Sequence, residues 1–196
     1  MSASSLALPG ADVTFDPDWL RSDDADALFG GLLADIRWEV HRIRLFGREV
    51  DSPRLSCWIG DPEAAYTYSG LRLQPRPWPP ALQRVRERLR REIGIGFNSV
   101  LANLYRDGRD RMGWHSDDER ELGPRPVIAS LSLGACRRFV LRHRREVSSK
   151  LAIELPHGSL LVMRGETQRH YRHALPATAK PVGPRINLTF RRIVVT

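Results

Sequence analysis

Arg185-Ile186-Asn187-Leu188-Thr189-Phe190-Arg191 is the stretch from which the fold can be read. Alternate side chains of a β-strand point to opposite faces, so Ile186, Leu188 and Phe190 share one face while Arg185, Asn187, Thr189 and Arg191 share the other. The first face asks for a hydrophobic layer. The second is too polar for ordinary core. Two guanidiniums beside an amide and a hydroxyl suit an anion with two carboxylates, because the planar arginine fork pairs with a carboxylate through two hydrogen bonds. The same alternation also describes an exposed strand of a basic protein whose arginines face water. The strand alone leaves both readings open.

Upstream, His115-Ser116-Asp117 sets a histidine and a carboxylate two residues apart, on one side of an extended segment. A further histidine would complete the set of two histidines and one carboxylate that holds Fe(II) with positions open for oxygen chemistry. His173 is the candidate, with His157 and His170 as rivals. A lone His-x-Asp is a weak motif and takes its meaning from such partners.

Between these motifs, runs with β-propensity alternate with turn residues at 100–105, 127–133, 139–141, 159–163 and 186–195. That rhythm indicates a sandwich or jelly roll, two facing sheets with a pocket between them. The first half of the chain is more helical. Asp16-Pro17 offers an N-cap and a first-turn proline to a helix on which Ala25, Leu28, Phe29, Leu32 and Ile36 recur at helical spacing. A second helix is expected from Pro80 to Ile93, with Leu82, Val85, Leu89 and Ile93 as its apolar stripe and Gly94 as its stop. Its arginines, Arg84, Arg86, Arg88, Arg90 and Arg91, read as a solvated face. Small residues through Ala11 offer little to bury, so residues 1–14 are expected to be a flexible tail and 15–196 a single domain.

Composition narrows the class of protein. Hydrophobic residues make up 41% of 196, without a run long enough to span a bilayer, and the start of the chain lacks the basic and apolar segments of a signal peptide. A soluble cytoplasmic protein without a membrane partner is expected. Cys57 and Cys136 have neither disulfide nor metal spacing and read as packing residues. The net charge of +8, from 31 Lys and Arg against 23 acidic residues, suits phosphate contact and makes nucleic acid the natural partner. A genome rich in arginine codons would raise the charge in the same way.

Several segments, taken in order, resemble the AlkB family of Fe(II)- and 2-oxoglutarate-dependent dioxygenases, particularly the branch that repairs alkylated bases in duplex DNA. They are Leu45-Phe46-Gly47-Arg48, Tyr66-Thr67-Tyr68-Ser69-Gly70, Asn103-Leu104-Tyr105-Arg106-Asp107-Gly108, His115-Ser116-Asp117-Asp118-Glu119, Ala129 to Gly134, His157 to Leu161, His173-Ala174-Leu175-Pro176 and Arg185 to Arg191. The resemblance covers most of the chain. It implies a mostly β fold with flanking helices (α+β): a double-stranded β-helix, or jelly roll, over 97–196. An N-terminal helix and nucleotide-recognition hairpins would precede it over 15–96.

The resemblance also implies roles. His115, Asp117 and His173 match the iron ligands. Asn103 and Tyr105 match residues that hydrogen-bond 2-oxoglutarate, and Arg185 looks like the partner of its distal carboxylate. Arg191 would sit near the metal-proximal carboxylate, with Asn187 and Thr189 in the same wall. Which arginine holds which end is open. The implied activity is oxidative demethylation of bases such as 1-methyladenine and 3-methylcytosine, using O2 and 2-oxoglutarate and releasing formaldehyde, succinate and CO2. RNA, a protein side chain, or a non-catalytic nucleic-acid-binding role are the alternatives, and a monomer is expected.

A base reacting on its Watson-Crick edge must leave the duplex stack. Phe46 and Gly47 match a finger that fills the gap, while Tyr66, Tyr68, Ser69 and Asp118 match residues around the extruded base. Arg48, Arg54 and Lys180 match positions that meet phosphates or the opposite strand. Here the pattern departs: Ala177, Thr178 and Ala179 stand where the family has a basic cluster, and Glu49 and Val50 replace an aromatic-polar pair.

Overall fold

The computed structural model describes residues 3–45, 48–64, 66–68, 71–146 and 148–194, with the backbone alone at 43–45, 48, 49, 66–68 and 71–73. The first half holds β1 (Ser4–Ser5), β2 (Asp12–Asp16), α1 (Ser22–Asp35), β3 (Glu39–Leu45), β4 (Arg48–Gly60), β5 (Tyr66–Tyr68), β6 (Leu71–Leu73) and α2 (Pro80–Ile93). The second half holds β7 (Ser99–Tyr105), β8 (Met112–His115), β9 (Ile128–Gly134), β10 (Arg137–His143), β11 (Lys150–Leu155) and β12 (Leu160–Arg164). A helical turn α3 (Thr167–His170), β13 (Tyr171–Leu175) and β14 (Arg185–Arg191) complete it. Among the described residues the strands form a major sheet, β1-β2-β12-β9-β14-β7-β4-β3, a minor sheet, β11-β10-β13-β8, and the hairpin β5-β6.

β14 sits inside the major sheet, antiparallel to β7 and β9, with Asn187 opposite Asn103 on one side and Ser132 on the other. Its two faces meet different layers. Ile186, Leu188 and Phe190 join Val100, Ala102, Leu104, Ala129, Leu131 and Leu133 of the neighbouring strands. Leu32 of α1 and Leu82, Val85 and Leu89 of α2 cover this surface. On the opposite face Leu101, Ile128, Leu161 and Met163 of the major sheet pack against Phe139, Leu141, Leu155 and Tyr171 of the minor one. The result is a two-sheet jelly roll with helices outside the larger sheet, the mostly β architecture expected.

α2 runs as the stripe demands and stops at Gly94, whose φ of 78° is the left-handed conformation that glycine adopts without strain. Two of its arginines depart from the expected solvated face. Arg86 clamps Asp61 through two hydrogen bonds of 2.7 and 2.8 Å while lying 4.8 Å from the Trp78 ring, and Arg88 bonds Glu92 and the Trp19 carbonyl. Long arginine stems cover apolar surface while their heads find acidic partners.

The structure corrects three further expectations. α1 begins at Ser22, because Asp16 closes β2 and its side chain accepts from the Asp18 amide, turning the chain before the helix starts. The stretch through residue 14 is strand in part: β2 pairs along β12, β1 pairs with β2, and Tyr171 donates its hydroxyl to the Pro9 carbonyl. β14 ends at Arg191, where Asn98 takes over by bonding both the N–H and the carbonyl of Ile193.

Phe190 is fully buried, with ring centroids 6.1 Å from Phe97 and 6.3 Å from Trp78. Phe190→Ala is expected to lower the unfolding free energy by about 3–5 kcal/mol, read from the midpoint of a urea transition with its slope unchanged.

Candidate metal centre

The polar face of β14 opens into a cavity between the sheets, lined by Arg185, Asn187, Thr189 and Arg191 together with Asn103, Tyr105, Ser130, His115, Asp117 and His173. All four β14 side chains are buried, Arg185 to 2% exposure, so the reading as a water-facing strand fails. His115 ends β8, Asp117 follows in the loop, and His173 lies directly opposite His115 on β13. Between the two strands the register slips: His115 pairs with His173 but Met112 with Leu175, three residues against two. The bulge turns both Met112 and His115 into the cavity, which regular alternation would forbid.

One ligand atom from each of His115, Asp117 and His173 lies within 4.8 Å of the other two. Burial holds the His173 imidazole down at about 3, with His115 adding to the effect, and burial lowers His115 as well. Burial would raise Asp117, but Arg191, with the two histidines, outweighs it and holds the carboxyl at about 2. At neutral pH the set is two neutral imidazoles and a carboxylate. His115 Nδ1 lies 2.8 Å from the Gly113 carbonyl, and donating there leaves Nε2 as the ligand atom. The Asp117 amide donates to Gln168 Oε1, and Ser116 donates to the Tyr171 carbonyl while accepting from Arg144. These bonds fix the loop that carries the carboxylate.

Arg191 Nη2 donates to Asp117 Oδ1 at 2.7 Å, placing this arginine at the metal end. Arg185, at the other end of the strand, donates from Nη2 to Ser132 Oγ at 2.9 Å, with the Tyr105 ring centroid 5.3 Å away. Its Nε and Nη1 are buried without a hydrogen-bond partner among the described residues. Burial lowers the Arg185 guanidinium to about 10, so it remains charged at neutral pH. A buried cation with idle donors is costly until an anion meets it. Asn187 donates to Ser130 and accepts from Thr189, so these two form the wall between the arginines. The donor set fits divalent iron, and the arginine at the far end fits the distal carboxylate of a dicarboxylate.

The comparisons with known proteins agree with that chemistry. A family model, the 2OG-Fe(II) oxygenase superfamily, matches residues 12–191. DNA oxidative demethylase ALKBH2 of Mus musculus is 42% identical over 92% of this chain and 86% of its own length. The chain belongs to the AlkB family of 2OG-Fe(II) oxygenases. It is therefore a dioxygenase that uses Fe(II) and 2-oxoglutarate. ALKBH2 of Homo sapiens is 43% identical, covering 88% of this chain and 70% of the relative. Alpha-ketoglutarate-dependent dioxygenase alkB homolog 3 of Bos taurus is 38% identical over 90% of this chain and 64% of its own length. The solved structure of OsALKBH1 matches 95% of this chain and all of that one with a TM-score of 0.64, at 19% identity, which speaks to the fold.

Not every AlkB-like position falls where the sequence suggested. Arg54 is corrected: it is 3% exposed and donates to Asn103 Oδ1 at 2.7 Å and to Ser52 Oγ at 3.0 Å. β4 runs beside β7, so Arg54 turns inward to orient the Asn103 amide and cannot meet a phosphate. Asp118 is exposed and ion-paired with Arg144. Lys180 is exposed in the loop after β13. Phe46, Gly47 and Ser69 lie outside the described residues, as do the side chains of Arg48, Tyr66 and Tyr68. Neither rival histidine joins the triad: His157 accepts from the Gly134 amide, and His170 stacks on His143. Ser130, Ser132, Gln168 and Arg144 went unrecognised. The two serines alternate on β9 and could have been matched to the polar face of β14, whereas nothing local marks Gln168.

His173→Ala is expected to cut affinity for Co(II), a spectroscopic stand-in for iron, by more than the roughly 10- to 100-fold that losing a supporting partner costs. Loss of the visible Co(II) absorption bands reads it.

Proposed function

We propose that this chain demethylates N-alkylated bases in DNA, of the 1-methyladenine and 3-methylcytosine type, in single strands and in duplexes. The observation that carries the reading is one cavity joining the His115, Asp117 and His173 ligand atoms to the Arg185 donors that have no partner among the described residues. Relatives named DNA oxidative demethylase, at 42–43% identity over most of the chain, support DNA as the substrate.

In this reading His115, Asp117 and His173 hold the iron, and Arg185 binds the distal carboxylate of 2-oxoglutarate with Ser132 and Tyr105 steadying the guanidinium. Arg191, bonded to Asp117, stands by the metal-proximal carboxylate, and Asn103, oriented by Arg54, hydrogen-bonds the cosubstrate. Bound iron supplies the activation of dioxygen that the side chains cannot. The methyl carbon takes one oxygen atom and succinate the other. The hydroxymethyl group leaves as formaldehyde, with CO2 as the remaining product and the base restored. No protein nucleophile is needed; the side chains bind, orient and exclude water. Phe46, followed by Gly47 in the sequence, fills the gap left by the flipped base. Tyr66, Tyr68, Ser69 and Asp118 surround the base, and Arg48 and Lys180 meet phosphates.

Mass spectrometry of paired single- and double-stranded oligonucleotides carrying either lesion, incubated with protein, Fe(II), 2-oxoglutarate and O2, tests the reading. Methyl loss that requires the cosubstrate and disappears in His173→Ala is expected. Loss from methylated RNA alone, or from no nucleic acid, overturns it. Arg185→Ala should raise the KM for 2-oxoglutarate roughly tenfold or more while Co(II) binding persists, a split that separates cosubstrate capture from metal retention.

A further inference from the structure

The bulge that turns Met112 and His115 inward leaves Trp114, between them, facing out at 41% exposure. The other four tryptophans are buried or half-buried. Over the Trp114 ring, 4.5 Å from its centroid, lies the guanidinium of Arg142, which reaches across from β10. Arg142 stands on the outer face of the minor sheet, since its neighbour Leu141 points into the core. There Lys150 of β11 is directly opposite Arg142, and Arg172 of β13 is directly opposite it on the other side. Three like charges side by side across adjacent strands repel one another. None of the three makes an ion pair among the described residues. Further along the face, Glu154 stands opposite Arg138, so the acidic counterweight belongs to a different rung.

A row of uncompensated cations ending on an exposed aromatic ring is complementary to a polyanion that carries planar groups. A DNA duplex offers phosphates but keeps its base faces stacked inside. An unpaired strand offers both, and bases stack on aromatic side chains with little regard to sequence. We propose that Trp114 and Arg142 form a stacking platform, with Lys150 and Arg172 as a phosphate rail, for a single-stranded DNA segment flanking the nucleotide whose base enters the cavity. The platform adjoins His115, the next residue, so a strand held there is held beside the reacting centre. The assignment of DNA as the strand rests on the proposed demethylase reading.

Binding of a short, unmethylated, fluorescein-labelled single-stranded oligonucleotide to the full chain, followed by anisotropy, tests the platform without turnover. Trp114→Ala should raise Kd roughly 5- to 150-fold, while Trp114→Phe retains most of the affinity and the duplex of the same sequence loses less. Arg172→Gln should reduce the slope of log affinity against log salt by about 0.7, and it carries the test if Trp114→Ala fails to fold. An unchanged Kd, an equal loss with Phe and Ala, or an equal loss on duplex and single strand overturns the proposal. So does a change of oligomeric state in Trp114→Ala with unchanged DNA binding, which would make the patch a contact between copies. Because the probe carries no lesion, binding through Trp114 without any demethylation would sink the function and leave the platform standing. Demethylation with no role for Trp114 would do the reverse.

Discussion

Arg191 and Asp117 meet at 2.7 Å in a cavity where both are almost wholly buried, and much of the rest is arranged to make that tolerable. Removing two charges from water costs more than a single contact returns unless the remaining donors and acceptors are also satisfied. Asp117 is held from one side by Arg191 and from its own amide by Gln168, beside two histidines whose burial keeps them neutral. A carboxylate kept ionised beside neutral imidazoles is already in the protonation state that a divalent metal requires. The ion pair therefore both makes burial of the site possible and prepares its ligands.

The same strand explains why the protein needs three layers. β14 has an apolar face that must be covered and a polar face that must be enclosed but not filled. Helices α1 and α2 do the first, with Phe190 set between Phe97 and Trp78. The minor sheet does the second, and its edge strand β8 brings His115 of the candidate metal set over the cavity. The bulge there breaks the alternation at a functional position, where departures from regular pairing are concentrated.

Arg54 shows the limit of matching motifs one residue at a time. Its place in the sequence suggested an arginine meeting phosphate, yet the pairing of β4 with β7 puts Ser56 opposite Asn103 and turns the Arg54 side chain inward onto the Asn103 amide. Charge and residue type are the same in both readings; only the strand register distinguishes them. Similarly, small residues near the N-terminus contain no signal for pairing, because β2 gains its hydrogen bonds from β12, far away in the chain.

Period-two alternation in Arg185 to Arg191, the stripe of α2 with its Gly94 stop, and the His115-x-Asp117 pair were legible in the sequence because each depends on contacts within a few residues. These local patterns determined that the protein has a two-faced strand, an amphipathic helix and a half-built metal site. The family-like His173-Ala174-Leu175-Pro176 segment already favoured His173 over His157 and His170, and the tertiary structure supplies the physical ground, β13 lying beside β8. Tertiary structure decided that Arg191 and not Arg185 meets Asp117, and it decided the inward turn of Arg54 and the outward turn of Trp114. Each of these follows from strand order, register or a bulge, relations between segments distant in sequence that no local pattern encodes.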